Sequence, residues 1–348
     1  MATPVTNMQD ELFSTAVANA TSANIKAGFD LLAVALEGLE QPLQNNVMVR
    51  LSGRPGDVFV EETKDPKVPV KWDENCASRA AVQGVIRAGM PELVDKFGLQ
   101  FVTETNIPNP AGMGSSGASA AAGMKAGLAL VKRYIPGFDL STGEQIEAAV
   151  AGETARHYDN VSAAVLGGLA EKRSLYHNPL VPQSHDEFVK HNVPGWYVLL
   201  AKPEGVTKGS TAQGRSILTE DVKERYEKDA RISDTRKRII WRLEDGNLRG
   251  LAAKLAEFED PVECARAENG FYGRGITPKF LGGLYRQFDG KHMAAWMSGA
   301  GPYMLVVVGE DRGRAELAKR IFFQAYAPLG YKPQFIEARL SNQGARSV

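Results

Sequence analysis

Cysteine is scarce in this sequence: Cys76 and Cys264 are the only two in 348 residues. They are far apart, and neither has a second Cys or a His at metal-ligand spacing, which excludes a zinc ribbon and a disulfide framework and suits a reducing cytosol. An excess of charge is also missing, since Lys plus Arg and Asp plus Glu each total 41. No global field therefore favours nucleic acid, an anionic membrane or a polyanionic substrate, and a charged ligand has to be recognised locally. No run of 18 apolar residues occurs, and Met1 to Glu11 holds neither a basic cluster nor a long apolar stretch. The expectation is a cytoplasmic protein without membrane or nucleic-acid partners.

What is present reads as mixed α/β, and the length admits two domains. Phe13 to Asn19, Val47 to Leu51 and Asp57 to Glu61 have strand character, with Gly53, Pro55 and Gly56 supplying a turn. Asn75 to Met90 is alanine-rich at helical spacing, and Leu99 to Thr105 alternates like a strand. Ser115 to Tyr134 consists of good helix formers closed by Pro136 and Gly137. Tyr176 to Asn192 lacks periodicity and marks the expected boundary between domains 1–192 and 193–348. In the second domain, Val193 to Ala201 and Tyr303 to Gly309 predict strands, and Glu220 to Leu243 and Arg314 to Tyr326 predict helices.

The central signal is the run from Ile107 and Pro108 through Gly112, Met113, Gly114, Ser115, Ser116, Gly117 and Ala118 to Ser119, between a strand and a helix. Glycines permit close backbone approach, and the open N–H groups of the following helix attract phosphate. Ser115 and Ser116 add hydroxyls that can face phosphate or magnesium. Gly112 and Gly117 have Walker A spacing, but Ala118 and Ser119 stand where that loop needs Lys and Ser/Thr, so the ordinary P-loop is excluded. The alternative is a tight turn before a packing helix.

This run resembles the second motif of the GHMP kinases, P-x-x-x-G-L-G-S-S-A-A, with Met113 for Leu and Gly117 for the first Ala. Thr21 to Leu32 resembles the opening of the homoserine kinases, S-A-N-x-G-x-G-F-D-x-L, with Lys26 replacing one glycine. Gly152 to Val161, followed by Gly167 and Gly168, resembles their H-x-D-N-V segment, and Gly209 to Leu218 their S-T-A-x-A-R-x-I-L-P segment. Met297 to Pro302 resembles the third GHMP motif, S-G-x-G-P.

The resemblance implies a two-domain GHMP fold, α/β in the broad α+β sense, with an N-terminal ribosomal-protein-S5-like domain and a C-terminal ferredoxin-like one. It implies transfer of a phosphoryl group from ATP, with Mg2+, to the side-chain hydroxyl of homoserine in threonine biosynthesis. Alternatives are another small alcohol such as threonine or mevalonate, or a nucleotide sensor without turnover, and a homodimer is left open. Implied for magnesium are Ser116 and Glu153, with Glu147 as the fallback. Substrate contacts fall to Asn24, Asp30, His157, Asn160 and Arg215. Asn24 and Asp30 read by themselves as a turn and a helix cap. Arg274, one position from the expected place of a second carboxylate-binding arginine, is otherwise a solvated surface residue. Asn75 falls where relatives line the nucleoside pocket, but capping a helix explains it equally. Asn160 cannot act as a conventional base, because an amide has no useful proton-accepting pKa, so it is expected to orient the hydroxyl. His157 and Asp159 admit an acid/base reading, with a structural or positioning role preferred.

Overall fold

Strand β1 (Ser14–Ala23) is made of small and β-branched residues and is buried along nearly its whole length, so it belongs at the centre of a sheet covered on both faces. The computed structural model, which describes residues 13–108, 111–153, 156–173, 187–206, 211–219, 222, 224, 226 and 229–348, with the backbone alone at 211, 212, 215 and 230, places it there. β1 is followed by β2 (Leu32–Gly38), β3 (Gln44–Leu51) and β4 (Val58–Thr63). Helix α1 (Cys76–Arg87), the short α2 (Glu92–Asp95) and β5 (Leu99–Thr105) lead into α3 (Ser115–Tyr134). Helices α4 (Thr142–Gly152) and α5 (Tyr158–Leu166) and the hairpin of β6 (Leu169–Lys172) and β7 (Phe188–His191) follow.

Beyond these lie β8 (Tyr197–Pro203), α6 (Thr211–Ser216), α7 (Ala230–Glu244), α8 (Leu248–Glu257), α9 (Pro261–Glu268) and α10 (Pro278–Asp289). The chain then forms β9 (Ala294–Met297), β10 (Met304–Gly309), α11 (Arg314–Tyr326), β11 (Pro333–Leu340) and β12 (Arg346–Ser347). The strands make one mixed path, β4-β5-β3-β1-β2-β11-β8-β10-β9, in which β4 runs parallel to β5 and the other pairs are antiparallel. The architecture is thus α+β. Leu36 to Gly38 of β2 pair with Ala338 to Leu340 of β11, and β12 returns to Ala16 and Val17, so the last residues pack against the first strand.

Local chemistry explains most element starts. Asn75 caps α1 by accepting from the amides of Ala77 and Ser78, and Ser141 and Glu144 form a capping box at α4. Asp260 and Thr277 cap α9 and α10, each with proline in the first turn. The long α3 lies so close to α1 that a Cβ at Gly123 would overlap the Ala77 carbonyl, which explains the small residues along both helices. The predicted strand from Val193 begins later, at Tyr197, because Pro194 and Gly195 make a turn in which the Trp196 amide donates to the Pro194 carbonyl at 2.8 Å. Of the predicted helix from Glu220 to Leu243, α7 accounts for the part from Ala230, capped by Asp229; much of what precedes it falls outside the described residues.

His191 at the end of β7 joins two parts of this frame, with Nε2 3.2 Å from Glu171 of β6 and Nδ1 2.8 Å from Glu244 of α7. Burial lowers its pKa, but the two carboxylates outweigh that and hold it above the usual histidine value. A raised folded-state pKa adds stability that is fully present below the unfolded value of about 6.5 and is lost as pH rises through the folded one. The melting-temperature gap between the parent and His191→Gln should therefore be widest near pH 6 and narrow towards pH 9. A gap that widens with pH would contradict this linkage.

Candidate functional site

The first turn of α3 is the focus on which four segments converge. Its N-cap is Gly114, left-handed at φ 63° and without a side chain to satisfy the helix amides, so the N–H groups of the first turn are left for a ligand. A Cβ on Gly114 would overlap Thr21 Oγ1, and one on Gly117 would come within 3.2 Å of Asn160 Cβ. These two glycines let β1 and α5 press against the helix start. There the Thr21 hydroxyl donates to Asn160 Oδ1 at 2.8 Å, turning the amide nitrogen of Asn160 towards Asp159, 3.3 Å away.

The loop before α3 is held from two further sides. Asn45 of β3 donates to the Ser115 carbonyl at 2.8 Å and to Ser119 Oγ at 2.7 Å. The Met297–Pro302 turn closes on Gly112, whose carbonyl accepts from the Ser298 hydroxyl at 2.8 Å, and a Cβ on Gly112 would overlap the Ser298 carbonyl. The same turn reaches β1, where the Gly299 amide donates to Ala23 O at 2.9 Å, and Trp296 Nε1 donates to Ser22 Oγ at 3.0 Å.

Next to the α3 start, Ser116 Oγ donates to Glu153 Oε1 at 2.8 Å. His157 Nδ1 lies 2.7 Å from that same oxygen, and the His157 amide donates to Glu153 Oε2 at 2.6 Å. Glu153 is buried, which would raise its pKa, but His157 and the Ser116 hydroxyl together hold it below the ordinary carboxylate range. An ionised carboxylate beside an exposed hydroxyl is a hard-oxygen pair suited to Mg2+, which takes few protein ligands and fills its shell with water and phosphate. Among the described residues no group of three or more His, Cys, Asp or Glu is arranged to hold a metal unaided.

The remaining side of the site is acidic. Asp159 is buried, and that burial followed by the nearby charge of Asp30 pushes its pKa well above the usual aspartate value. Asn24 and Asp30 occupy left-handed backbone, and Asn24 Oδ1 accepts from the Asp30 amide at 2.9 Å, closing the loop between them. Lys172, buried over the Tyr158 ring at 4.6 Å, adds a cation whose pKa burial pushes down.

The residues singled out from sequence are not all gathered here. Ser116, Glu153, His157 and Asn160 surround the start of α3, with Asp159 beside Asn160 and Asp30 near it. Met113 and Ala118 are buried supports, the Met113 carbonyl accepting from the Thr21 amide at 3.1 Å, while Pro108 is exposed. Glu147 accepts from the Tyr158 hydroxyl at 3.3 Å. Asn75 is 1% exposed, its Nδ2 donating to Pro69 O at 2.9 Å while its oxygen caps α1, so both ends of the amide are engaged within the protein. The Arg215 side chain lies outside the described residues. Arg274 is exposed between Gly273, packed near Val206 and Tyr331, and Gly275, packed near Leu329. Among the described residues the buried arginine is Arg266 of α9, only 4% exposed, with Nε 3.3 Å from the Gly214 carbonyl and its guanidinium 5.7 Å from the Phe29 ring. It escapes a sequence reading because it sits eight residues before Arg274 in an amphipathic helix. Thr21 and Asn45, likewise unnoticed, look in sequence like ordinary strand polar residues.

Comparison with known proteins bears on this arrangement. Residues 78–168, which include most of α1, the glycine–serine loop, α3, α4 and α5, match the family described as GHMP kinases N terminal domain. A homoserine kinase of Thermoplasma acidophilum is 30% identical over 344 residues, covering 94% of both chains. One of Aeropyrum pernix is 29% identical over 310 residues, 86% of this chain and 88% of the other. A crystal structure of homoserine kinase from Cytophaga hutchinsonii shares the fold, with a TM-score of 0.71 and 19% identity over 99% of this chain and 100% of that one. So does a mevalonate-3-kinase from Thermoplasma acidophilum holding mevalonate 3-phosphate and ADP, with a TM-score of 0.64 and 13% identity over 97% of this chain and 99% of that one. Likeness along nearly the whole length, with the family match lying over the segments that build the α3 site, shows that the chain belongs to the GHMP kinase superfamily, within its homoserine kinase family.

Proposed function

We propose that this chain transfers the γ-phosphoryl group of ATP to the side-chain hydroxyl of L-homoserine, giving O-phospho-L-homoserine. The observation that carries this reading is the fixed juxtaposition of Asn160, Ser116 and Glu153 around the uncapped start of α3. The α3 amides and the Ser115 and Ser116 hydroxyls receive the phosphates. Ser116 and Glu153 hold magnesium, which when bound neutralises charge on the transferring group. Asn160, its Oδ1 engaged by Thr21, orients the acceptor hydroxyl with its amide nitrogen, so catalysis relies on positioning and charge stabilisation.

Substrate recognition follows from the flanking charges. Two neighbouring carboxylates, Asp30 and Asp159, favour an ammonium, which relieves their repulsion, and this prefers an amino acid over mevalonate. Arg215 and Arg266 take the carboxylate, since a buried guanidinium beside Gly214 suits bidentate pairing. Arg266 replaces Arg274 in that role. In this reading residues 1–192 form an S5-like ATP-binding lobe and residues 193–348 a ferredoxin-like lobe that completes the cleft, in a cytoplasmic enzyme.

ATP consumption measured across homoserine, threonine, mevalonate and a sugar tests the assignment. Homoserine should give the highest kcat/KM; a preference for mevalonate or the sugar, or no turnover with any of them, would overturn it. Arg266→Lys should raise the homoserine KM about 30-fold, equivalent to ~2 kcal/mol, because an ammonium lacks the planar fork. An unchanged KM would remove Arg266 from the carboxylate site. Glu153→Gln should lower kcat about 100-fold at saturating magnesium while the protein, though less stable, stays folded at the assay temperature. Asn160→Asp should be slower than the parent at every pH, since a carboxylate beside Asp159 adds charge where phosphate must approach. An aspartate variant faster than the parent would show that the site needs a base.

A further inference from the structure

Lys26 stands where the family pattern has glycine, and its φ of 50° is a left-handed value that glycine adopts freely and lysine does not. Its side chain is nonetheless buried, only 2% exposed, with Nζ 2.9 Å from Glu263 Oε2 and 3.4 Å from the centre of the Tyr285 ring. The Tyr285 hydroxyl donates to the other Glu263 oxygen, so both ends of that carboxylate are engaged. The Lys26 carbonyl lies 2.9 Å from the Tyr226 hydroxyl, which is in turn 2.6 Å from Asp260, the cap of α9. Phe29 completes the attachment, packing edge-on against Tyr226 with ring centres 5.5 Å apart.

These contacts fall on one loop and one helix. The loop runs from Asn24 to Asp30, and α9 carries both Glu263 and, one turn later, Arg266. A contact that only stabilised the core would have no reason to join the two segments placed on opposite ends of an amino-acid substrate. We propose that Lys26 is a positioning residue: its ion pair with Glu263 ties the ammonium-binding loop to the helix that bears the carboxylate-binding arginine. The pair thereby sets the distance between the two recognition points. This inference rests on the homoserine assignment for its substrate, but the tether itself is a property of the free protein.

A cavity of about 450 Å³, lined in part by Lys26, Asp260, Glu263, Cys264 and Tyr285, borders the pair. Water can therefore reach Glu263 once Lys26 is shortened, and variants at this position should fold. Two measurements test the proposal on Lys26→Met, on Lys26→Gly, which suits the left-handed backbone, and on Glu263→Gln. In the ligand-free protein, hydrogen–deuterium exchange of the amides from 24 to 31 should quicken about tenfold or more in all three, with the amides of α3 unchanged. In steady-state assays the homoserine KM should rise about tenfold or more while the ATP KM stays within about twofold. The double variant Lys26→Met/Glu263→Gln should be no worse than the poorer single variant, as expected for partners in one interaction. Lys26→Gly separates the tether from backbone strain: a normal homoserine KM and unchanged exchange in this variant would overturn the proposal. If the parent fails to turn over homoserine, the functional assignment falls, while the exchange measurement still decides the tether.

Discussion

The contact on which the rest of this site depends is the pressing of Thr21 and Asn160 against the uncapped first turn of α3. It requires Gly114 and Gly117, since a Cβ at the first would overlap Thr21 and one at the second would crowd Asn160. A serine or aspartate at the N-cap would satisfy the helix amides from within and, relative to glycine, stabilise α3 by roughly a few tenths of a kcal/mol. The glycine leaves those amides open instead. Open helix amides and room for the Asn160 side chain thus come from the same two residues, and Asn45 and the Ser298 turn keep the geometry from relaxing.

Charge is arranged around that point with little compensation from bulk water. Glu153 is held ionised by His157 and Ser116 despite burial, while Asp159 is driven the other way by burial and by Asp30. Two carboxylates in neighbouring environments are therefore shifted in opposite directions, Glu153 below the ordinary carboxylate range and Asp159 above it. At the far end of the Asn24–Asp30 loop, the left-handed backbone of Lys26 costs roughly 1 to 2 kcal/mol relative to glycine. The ion pair with Glu263, beside the Tyr285 ring, is what holds the buried Lys26 side chain in place on that backbone.

Strong local periodicity made β5, α3 and α11 legible from sequence, and their observed spans agree with the predicted ones. The motif segments also announced the residues around α3, because glycine, serine and asparagine at those spacings have few other uses. What stayed hidden depends on contacts between distant segments. Arg266 is separated by 52 residues from its Gly214 partner, and nothing in an alternation of apolar and charged residues marks which arginine of a helical stretch turns inward. Arg274, attractive by spacing, lies on the surface. Asn75 shows the opposite difficulty, since an asparagine before a helix satisfies a capping pattern and a ligand pattern alike until its hydrogen bonds are seen. Short strands such as β9, and β2 with its continuous run of buried residues, lack the alternation that marks half-exposed strands.

The central claim, that the start of α3 is where ATP phosphates bind, is tested most directly by amide hydrogen exchange with and without a saturating, non-hydrolysable ATP analogue and magnesium. The account predicts protection concentrated on residues 114–117 and the amides that hold them, with α9 and α10 near their ligand-free rates. Protection elsewhere, with residues 114–117 exchanging as fast as in the free protein, would contradict it.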